Sequence, residues 1–132
     1  MPIRSNEAGF FGSYGDARYS RHNRLLIPEA HTAGKTLTED DFGKLHTNRG
    51  AAGSVTLVLP APKKGAFIAF AKATPGQTLV ISSDGTSIYS STGMTAGVIL
   101  TNTITTEYGY TELLSDGVAW FQTSARGTWV LS

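Results

Sequence analysis

A chain of 132 residues suffices for one domain with a single core, since folding at this size hides roughly two thirds of the unfolded surface. Its 11 basic and 10 acidic side chains nearly cancel, which argues against a nucleic-acid partner, and the lack of cysteine excludes disulfides and thiolate metal sites. No apolar run approaches the roughly 20 residues of a membrane span, and the N-terminus lacks the apolar core of a signal peptide. We therefore expect a protein made in the cytosol, with no membrane partner.

Residues 1–35 are predicted to form an extended N-terminal arm. Aromatic side chains stand there among glycines and arginines, and no apolar period of a strand or helix persists. The arm carries five basic and three acidic groups, against six and seven in residues 36–132, so an electrostatic partner would meet the arm. Enrichment in aromatic and arginine side chains, which is typical of interface hot spots, favours an arm that orders against a partner over a disordered tail.

Two short motifs precede the first clear strand. Gly34-Lys35-Thr36 resembles the end of a phosphate-binding loop, but the first glycine of that motif would have to stand where Glu29 does, so we reject a nucleotide site. Thr38 and Asp41 have the spacing of a capping box, which predicts a single helical turn. A cation site built from the adjacent carboxylates 39–41 is the less favoured alternative.

The clearest predicted strand is Val55–Leu59, in which apolar residues alternate with others. Ser83-Asp84-Gly85-Thr86 and Ser115-Asp116-Gly117 are predicted to be tight hairpin turns. Further short strands are predicted at 66–71, 77–82, 88–89, 98–100 with a polar continuation over 101–106, 112–114, 119–121 and 128–131. Residues 36–132 should therefore form a compact, all-β domain, an antiparallel β-sandwich or barrel that is jelly-roll-like.

Catalytic chemistry is not evident in the sequence. The histidines at 22, 31 and 46 lack the spacing of a metal pair on one helix or hairpin face, so each is expected on the surface or in a loop. Glu107 and Glu112 would need the geometry of a cleft to act as a glycosidase pair, and no nucleophile elbow is present. We predict that the protein is not an enzyme and requires no metal or cofactor.

Large aromatic side chains near the C-terminus are the strongest candidates for burial. Trp120, Phe121 and Trp129 are predicted to fill the core or a subunit interface, because large aromatics contribute most to burial. The alternative is that Trp120 and Trp129 are exposed and stack on sugars.

The segment from Asp41 to Pro60 has a distinctive spacing of glycines and polar residues, D-x-G-K-x-x-x-N-x-G-A-x-G-x-V-T-x-x-L-P. It resembles a segment that recurs in small virion proteins of tailed bacteriophages, where it starts a compact all-β domain. The residues that match are Asp41, Gly43, Lys44, Asn48, Gly50, Ala51, Gly53, Val55, Thr56, Leu59 and Pro60. Residues 113–121, followed by Gly127-Thr128-Trp129, are similar to the closing hairpin of the same proteins, so the resemblance covers roughly residues 36–132 and not the arm.

The resemblance implies a structural β-domain of a phage virion. Together with the arm it favours a capsid decoration (cement) protein on the outer surface of a phage head, assembled in the host cytoplasm, and the resemblance and the small size suggest a homotrimer. Its arm would bind the major capsid protein and stabilise the mature head. The arm residues expected at that interface are Arg4, Phe10, Phe11, Tyr14, Arg18, Tyr19, Arg21 and Arg24. The alternative is an adhesin, a head-fibre, tail-fibre or tail-associated domain that binds host-surface carbohydrate through distal loops. A minor tail or baseplate component is a third possibility.

Overall fold

The computed structural model describes residues 26–90, 96–103 and 106–132, which form eleven strands in two sheets and one 3-10 turn at Glu39–Asp41. The six-stranded sheet has the order β1 (Ile27–Ala30), β3 (Lys44–Thr47), β5 (Phe67–Lys72), β9 (Gly109–Ser115), β10 (Trp120–Arg126) and β7 (Ile88–Tyr89). The five-stranded sheet has the order β11 (Val130–Leu131), β8 (Ile99–Asn102), β6 (Leu79–Ser82), β4 (Val55–Val58) and β2 (Lys35–Thr36). The protein is therefore all-β, as the sequence predicts, and none of the described segments is a helix that could span a bilayer.

The chain alternates between the two sheets through its first six strands. Strands β1, β3 and β5 are parallel neighbours in one sheet, and β2, β4 and β6 are parallel neighbours in the other. The later strands β8, β9, β10 and β11 add antiparallel pairs. The prediction of antiparallel sheets is thus wrong. The reason is that most Gly- and Pro-rich connections carry the chain across to the opposite sheet instead of reversing it within one sheet.

The two predicted hairpin turns have different outcomes. The turn at 115–117 joins β9 to β10 as an antiparallel hairpin, and the Asp116 carboxylate accepts the backbone N–H groups of Val118 and Ala119. The turn at 83–86 forms, with Asp84 and Gly85 both at positive φ, but it is not a hairpin because β6 and β7 lie in different sheets. A positive φ at both central positions fits a tight turn, whereas the pairing of the flanking strands depends on the rest of the fold.

One apolar cluster lies between the sheets. It combines buried side chains of the five-stranded sheet, such as Leu57 and Ile81, with Ile68, Leu113 and Trp120 of the six-stranded sheet. Alternate residues of β4, β6 and β9 are buried, as the period of two in Val55–Val58 predicts. Each sheet therefore has a second, outer face.

The sheets extend into the region predicted as arm. Residues 27–30 and 35–36 are the strands β1 and β2, which pair with β3 and β4. The β-domain thus includes residues from Ile27 onward, and residues 1–25 lie outside the described part. The predicted polar strand over 101–106 corresponds to β8 as far as Asn102, and residues 104 and 105 are also outside the described residues.

Asn48 connects the glycine-containing segment 48–53 to the loop at residues 73–74. Its side chain is fully buried, and its carbonyl oxygen accepts the N–H groups of Ala73 at 2.7 Å and Thr74 at 3.1 Å. The Thr74 hydroxyl in turn donates to the Asn48 backbone carbonyl, and the Gly50 N–H donates to that hydroxyl. Gly50 has a φ of 84°, a conformation that glycine adopts without strain.

Candidate functional site

The parallel pairing of β1 with β3 brings polar groups together at one edge of the six-stranded sheet. Glu29 on β1 lies opposite His46 on β3 in the register, and His31 directly follows β1. The His31 N–H donates to the Thr47 carbonyl at 2.8 Å, which continues the ladder by one residue. Both imidazole rings are buried, His46 fully.

The two rings form a hydrogen-bonded pair. His31 Nε2 lies 2.9 Å from His46 Nδ1, with ring centroids 5.2 Å apart, and His46 Nε2 lies 3.0 Å from the backbone carbonyl oxygen of Asp41. A carbonyl oxygen can only accept, so His46 carries its proton on Nε2. With both rings neutral, His46 Nδ1 accepts and His31 Nε2 donates. The hydrogen bond that His46 Nε2–H donates to the Asp41 carbonyl therefore directs the Nδ1 lone pair of His46 towards His31.

Charged groups of both signs surround this pair. Glu29 accepts hydrogen bonds from Lys35 and Lys44, each at 3.3 Å, and its Oε2 lies 3.8 Å from His31 Nε2. Asp41 Oδ1 lies 3.6 Å from the Lys44 ammonium and 4.0 Å from that of Lys35. The ammonium of Lys35, followed by that of Lys44, outweighs partial burial and holds the pKa of the Glu29 carboxyl below its usual value.

Asp41 belongs to the predicted capping turn, and that prediction is confirmed. Its carboxylate accepts the N–H of Thr38 at 2.9 Å, and its own N–H donates to the Thr38 carbonyl. Burial alone would raise the pKa of the Asp41 carboxyl, but the Thr38 hydrogen bond and the lysine charges outweigh burial and lower it. Because Asp41 lies between two ammonium groups, these contacts do not favour the alternative cation site at residues 39–41.

Burial lowers the pKa of the His31 imidazole. The positive charges of Lys35 and of a protonated His46 act in the same direction, and the carboxylates of Glu29 and Asp41 partly oppose them. His31 is therefore a neutral ring near pH 7, with nitrogen atoms available for hydrogen bonding or coordination.

The expectation that the histidines lie on the surface or in loops is wrong for His31 and His46, while His22 is outside the described residues. Spacing rules for helices and hairpins do not apply to two parallel strands, where residues 15 positions apart become neighbours. Leu45 is the apolar residue of β3, so alternation along Lys44–Thr47 would place the His46 ring on the outside, and the sequence gives no signal that it faces inward.

The outer face of the six-stranded sheet is the second candidate, and it is largely apolar. Tyr89, Phe121, Leu114 and Phe67 are adjacent in the register of β7, β10, β9 and β5, so they form one row across four strands. The Tyr89 and Phe121 rings are stacked, with centroids 5.3 Å apart, and both side chains are more than one third exposed. Exposed contiguous apolar residues of this kind mark interaction sites.

The other half of this face lies over β1, β3 and β5, next to the start of β1. It consists of small and apolar residues, with an open depression of about 420 Å³. The residues of the face that line this depression are Pro28, Ala30, Leu45, Thr47 and Ala71. We define the "outer face" as these five residues together with the row Tyr89–Phe121–Leu114–Phe67. The polar pair Tyr110 and Glu112, whose hydroxyl and carboxylate are 2.6 Å apart, interrupts it on β9.

The structure separates the three aromatic residues predicted for the core or a subunit interface. Trp120 and Trp129 belong to the core cluster, and the Trp129 indole N–H points to the carbonyl oxygens of Tyr110 and Arg126. Phe121 lies instead on the outer face. The predicted capsid-binding residues of the arm, from Arg4 to Arg24, all lie outside the described residues.

Comparison of the chain with models of known protein families and with curated proteins finds no match.

Proposed function

We propose that this chain is a structural virion protein, a decoration protein that binds the outside of a tailed-phage head and stabilises it. The observation that carries a binding role is the apolar outer face, which begins at β1, the strand that continues directly from the arm. The phage assignment rests on the resemblance of residues 41–60 to virion proteins. The extended form of the arm, a jelly-roll-like relation between the sheets and a homotrimeric assembly belong to the same proposal.

The composition of the outer face supports contact with protein. All six strands of the sheet contribute apolar or small side chains to it, and Ile27, the first residue of β1, is itself 64% exposed. Removal of such a surface from water is favourable in proportion to its apolar area, whereas desolvation of a charged surface costs free energy. The major capsid protein and neighbouring copies of this chain are the partners we assign to it.

The residues of the resembling segment have structural roles that suit a family β-domain. Gly43 and Gly50 stand at positive φ, while Val55, Leu57 and Leu59 are buried in the core. Asn48 holds two loops together from a buried position. Such residues specify a fold more than a particular activity, so they support the class of β-domain. Recognition of the partner is assigned to the arm and the outer face.

The mechanism needs no chemical reaction. A ligand that binds the assembled, expanded shell and not its separated subunits stabilises the shell by mass action, by an amount that rises with the logarithm of its free concentration once that exceeds the dissociation constant. Arginine side chains of the arm would pair with capsid carboxylates, and its aromatic side chains would fill grooves between subunits.

The test is co-sedimentation with expanded, undecorated heads of the phage that encodes the chain. The full-length protein is compared with a protein that lacks residues 1–24, a truncation that leaves β1 intact. We expect saturable binding by the full-length protein and a loss of at least tenfold in affinity without the arm. Undiminished binding of the truncated protein would contradict the role of the arm, and no binding by either protein would contradict the head location.

The stacked, exposed rings of Tyr89 and Phe121 favour one second candidate, an adhesin that binds host carbohydrate. If this alternative holds, Phe121→Ala should abolish binding to host cells or glycans, while the purified protein fails to sediment with heads. The decoration proposal expects that the purified protein sediments with heads and that Phe121→Ala has no effect on binding to host cells or glycans.

A further inference from the structure

We propose that Glu29, His31 and His46 form a binding site for a divalent transition metal ion such as Zn²⁺, which fastens β1 to β3. Two imidazole nitrogens and one carboxylate oxygen, all within 4.8 Å of one another, supply three donor atoms of the kinds that bind zinc in proteins. A water molecule on the half-exposed Glu29 side would complete a four-coordinate site. This inference does not depend on the proposed function.

The distances between the donor atoms are close to those that a tetrahedral ion requires. Zinc–nitrogen bonds of about 2.0–2.1 Å place two ligand nitrogens about 3.3 Å apart. His31 Nε2 and His46 Nδ1 are 2.9 Å apart, so the rings need to separate by a few tenths of an ångström. Glu29 Oε2 lies 3.8 Å from His31 Nε2, and the three donor atoms span up to 4.8 Å, so the Glu29 carboxylate needs to approach the two rings by about 0.5–1.5 Å, which a half-exposed side chain can do.

The hydrogen bond to the Asp41 carbonyl provides the second observation that favours a metal ion. It places the His46 proton on Nε2 and leaves the Nδ1 lone pair directed at the other two ligands. Metal-binding histidines usually donate their second N–H to a carbonyl or carboxylate in this way, which fixes the orientation of the ring. On binding, the proton of His31 moves from Nε2 to Nδ1, and coordination to the metal replaces the hydrogen bond between the rings.

The lysines set a limit on the affinity. Glu29 and Asp41 balance Lys35 and Lys44, so a dication adds two positive charges to a neutral group of side chains. Glu29 Oε1 can keep Lys44 while Oε2 turns to the metal, and Asp41 remains near both ammonium groups. Removal of one ammonium should therefore strengthen metal binding. We expect Lys35→Gln to bind several-fold more tightly than the parent protein.

The experiment uses the full-length chain with His22→Gln and no polyhistidine tag, so that His31 and His46 are the histidines that remain. Co²⁺ is titrated first, followed by visible absorption of four-coordinate Co²⁺ and its displacement by Zn²⁺. We expect one ion per chain and, at a hundredfold excess of Zn²⁺ over its dissociation constant, a rise in Tm of about 10 °C. Glu29→Gln should weaken binding at least tenfold. The matched control Glu39→Gln removes an exposed carboxylate that pairs with Lys63 and should leave binding unchanged.

His31→Gln should abolish the Co²⁺ spectrum, and circular dichroism in a chelator checks that this variant folds. If it does not fold, Glu29→Gln and Lys35→Gln decide the question, since both replace half-exposed side chains. The proposal is overturned if the parent protein gives no saturable Co²⁺ spectrum and no rise in Tm with millimolar Zn²⁺. It is also overturned if Glu29→Gln binds as well as Glu39→Gln.

Discussion

His31 Nε2 lies 2.9 Å from His46 Nδ1, and both rings are buried although the two residues are 15 positions apart in the sequence. The parallel alignment of β1 with β3 brings them together at the edge of the six-stranded sheet where the described part of the chain begins. A change in the protonation of this pair should therefore alter both the ion pairs around it and the attachment of β1 to β3.

Stability should fall as the pH is lowered through the range in which histidine titrates. The pKa of His31 lies below its ordinary value of 6.5 in the folded protein, so the unfolded chain binds more protons and the free energy of unfolding rises with pH. This contribution is complete above the unfolded pKa and is lost as the pH falls from 6.5 towards the folded pKa of His31. Urea denaturation in a chelator, at steps from about pH 7.5 to 5.5, measures the slope.

In the same experiment, His31→Gln should flatten that slope, and His22→Gln should not. Glu29 and Asp41, whose pKa values are lowered on folding, add a second loss of stability as the pH falls below about 4.5 towards their folded values. An equal slope in His31→Gln and the parent protein would show that another group governs the dependence.

Asp41→Asn should destabilise the protein by about 1–2 kcal/mol. The substitution removes the negative charge that accepts the Thr38 N–H and faces Lys44 from a buried position. Asp40→Asn is the matched control, because Asp40 is the exposed neighbour in the same turn. Chemical denaturation compares the two, and equal losses would contradict a specific role of Asp41.

Asn48→Ala should cost about 2 kcal/mol, since the N–H groups of Ala73 and Thr74 lose their acceptor. Thr103→Ala, which also truncates a polar side chain but at an exposed position, should change the free energy of unfolding by less than about 0.5 kcal/mol. Hydrogen exchange should locate the loss, because protection of the Ala73 and Thr74 amides should fall more than that of amides in β9. A uniform loss of protection would contradict the local role.

How far the sequence predicts the fold depends on the strand. Alternating apolar residues and strong turn signals correctly predict β4, β5 and the hairpin of β9 and β10. Strands β1, β2 and β3 are not predicted, because they contain no run of alternating apolar residues and their partners come from other turns of the chain. A local pattern contains no information about which strands pair. For the same reason, the sequence wrongly predicts antiparallel pairing for strands that are parallel neighbours.

The candidate sites are even less accessible from sequence. The pairing of Glu29 with His46 requires the register of two parallel strands, and the row from Tyr89 to Phe67 requires the order of four. Phe121 stands next to Trp120 in the sequence, and the alternation of a strand places one ring outside and the other in the core. Composition indicates that aromatic residues matter, but only the strand order tells which of them are exposed.

Trp120 and Phe121 should respond differently to truncation. Trp120→Ala should cost about 3–5 kcal/mol, because its fully buried ring packs in the core against Phe42 and leaves a cavity. Phe121→Ala should cost about 1 kcal/mol, the contribution of its stacking on Tyr89, and should weaken binding to phage heads. Thermal denaturation and co-sedimentation separate these effects. A stable Phe121→Ala protein with unchanged head binding would remove this part of the outer face from the interface.

The role of the outer face can be tested with a matched pair of charge substitutions. Leu114→Glu places an acidic group in the row of the outer face, and Val130→Glu places one at an exposed position of the five-stranded sheet. Both proteins should remain folded, since both side chains are at least 40% exposed. We expect Leu114→Glu to reduce binding to heads at least tenfold and Val130→Glu to leave it unchanged. Equal binding by both proteins would assign the interface to the arm alone.

Calorimetry of expanded, undecorated heads tests the decoration proposal most directly. The heads are heated alone and with the full-length protein at saturating concentration. A decoration protein should raise the temperature at which the shell dissociates, and the rise should increase with the logarithm of the free protein concentration. An unchanged transition under conditions where the protein is bound, or no binding at all, would contradict a stabilising role on the phage head.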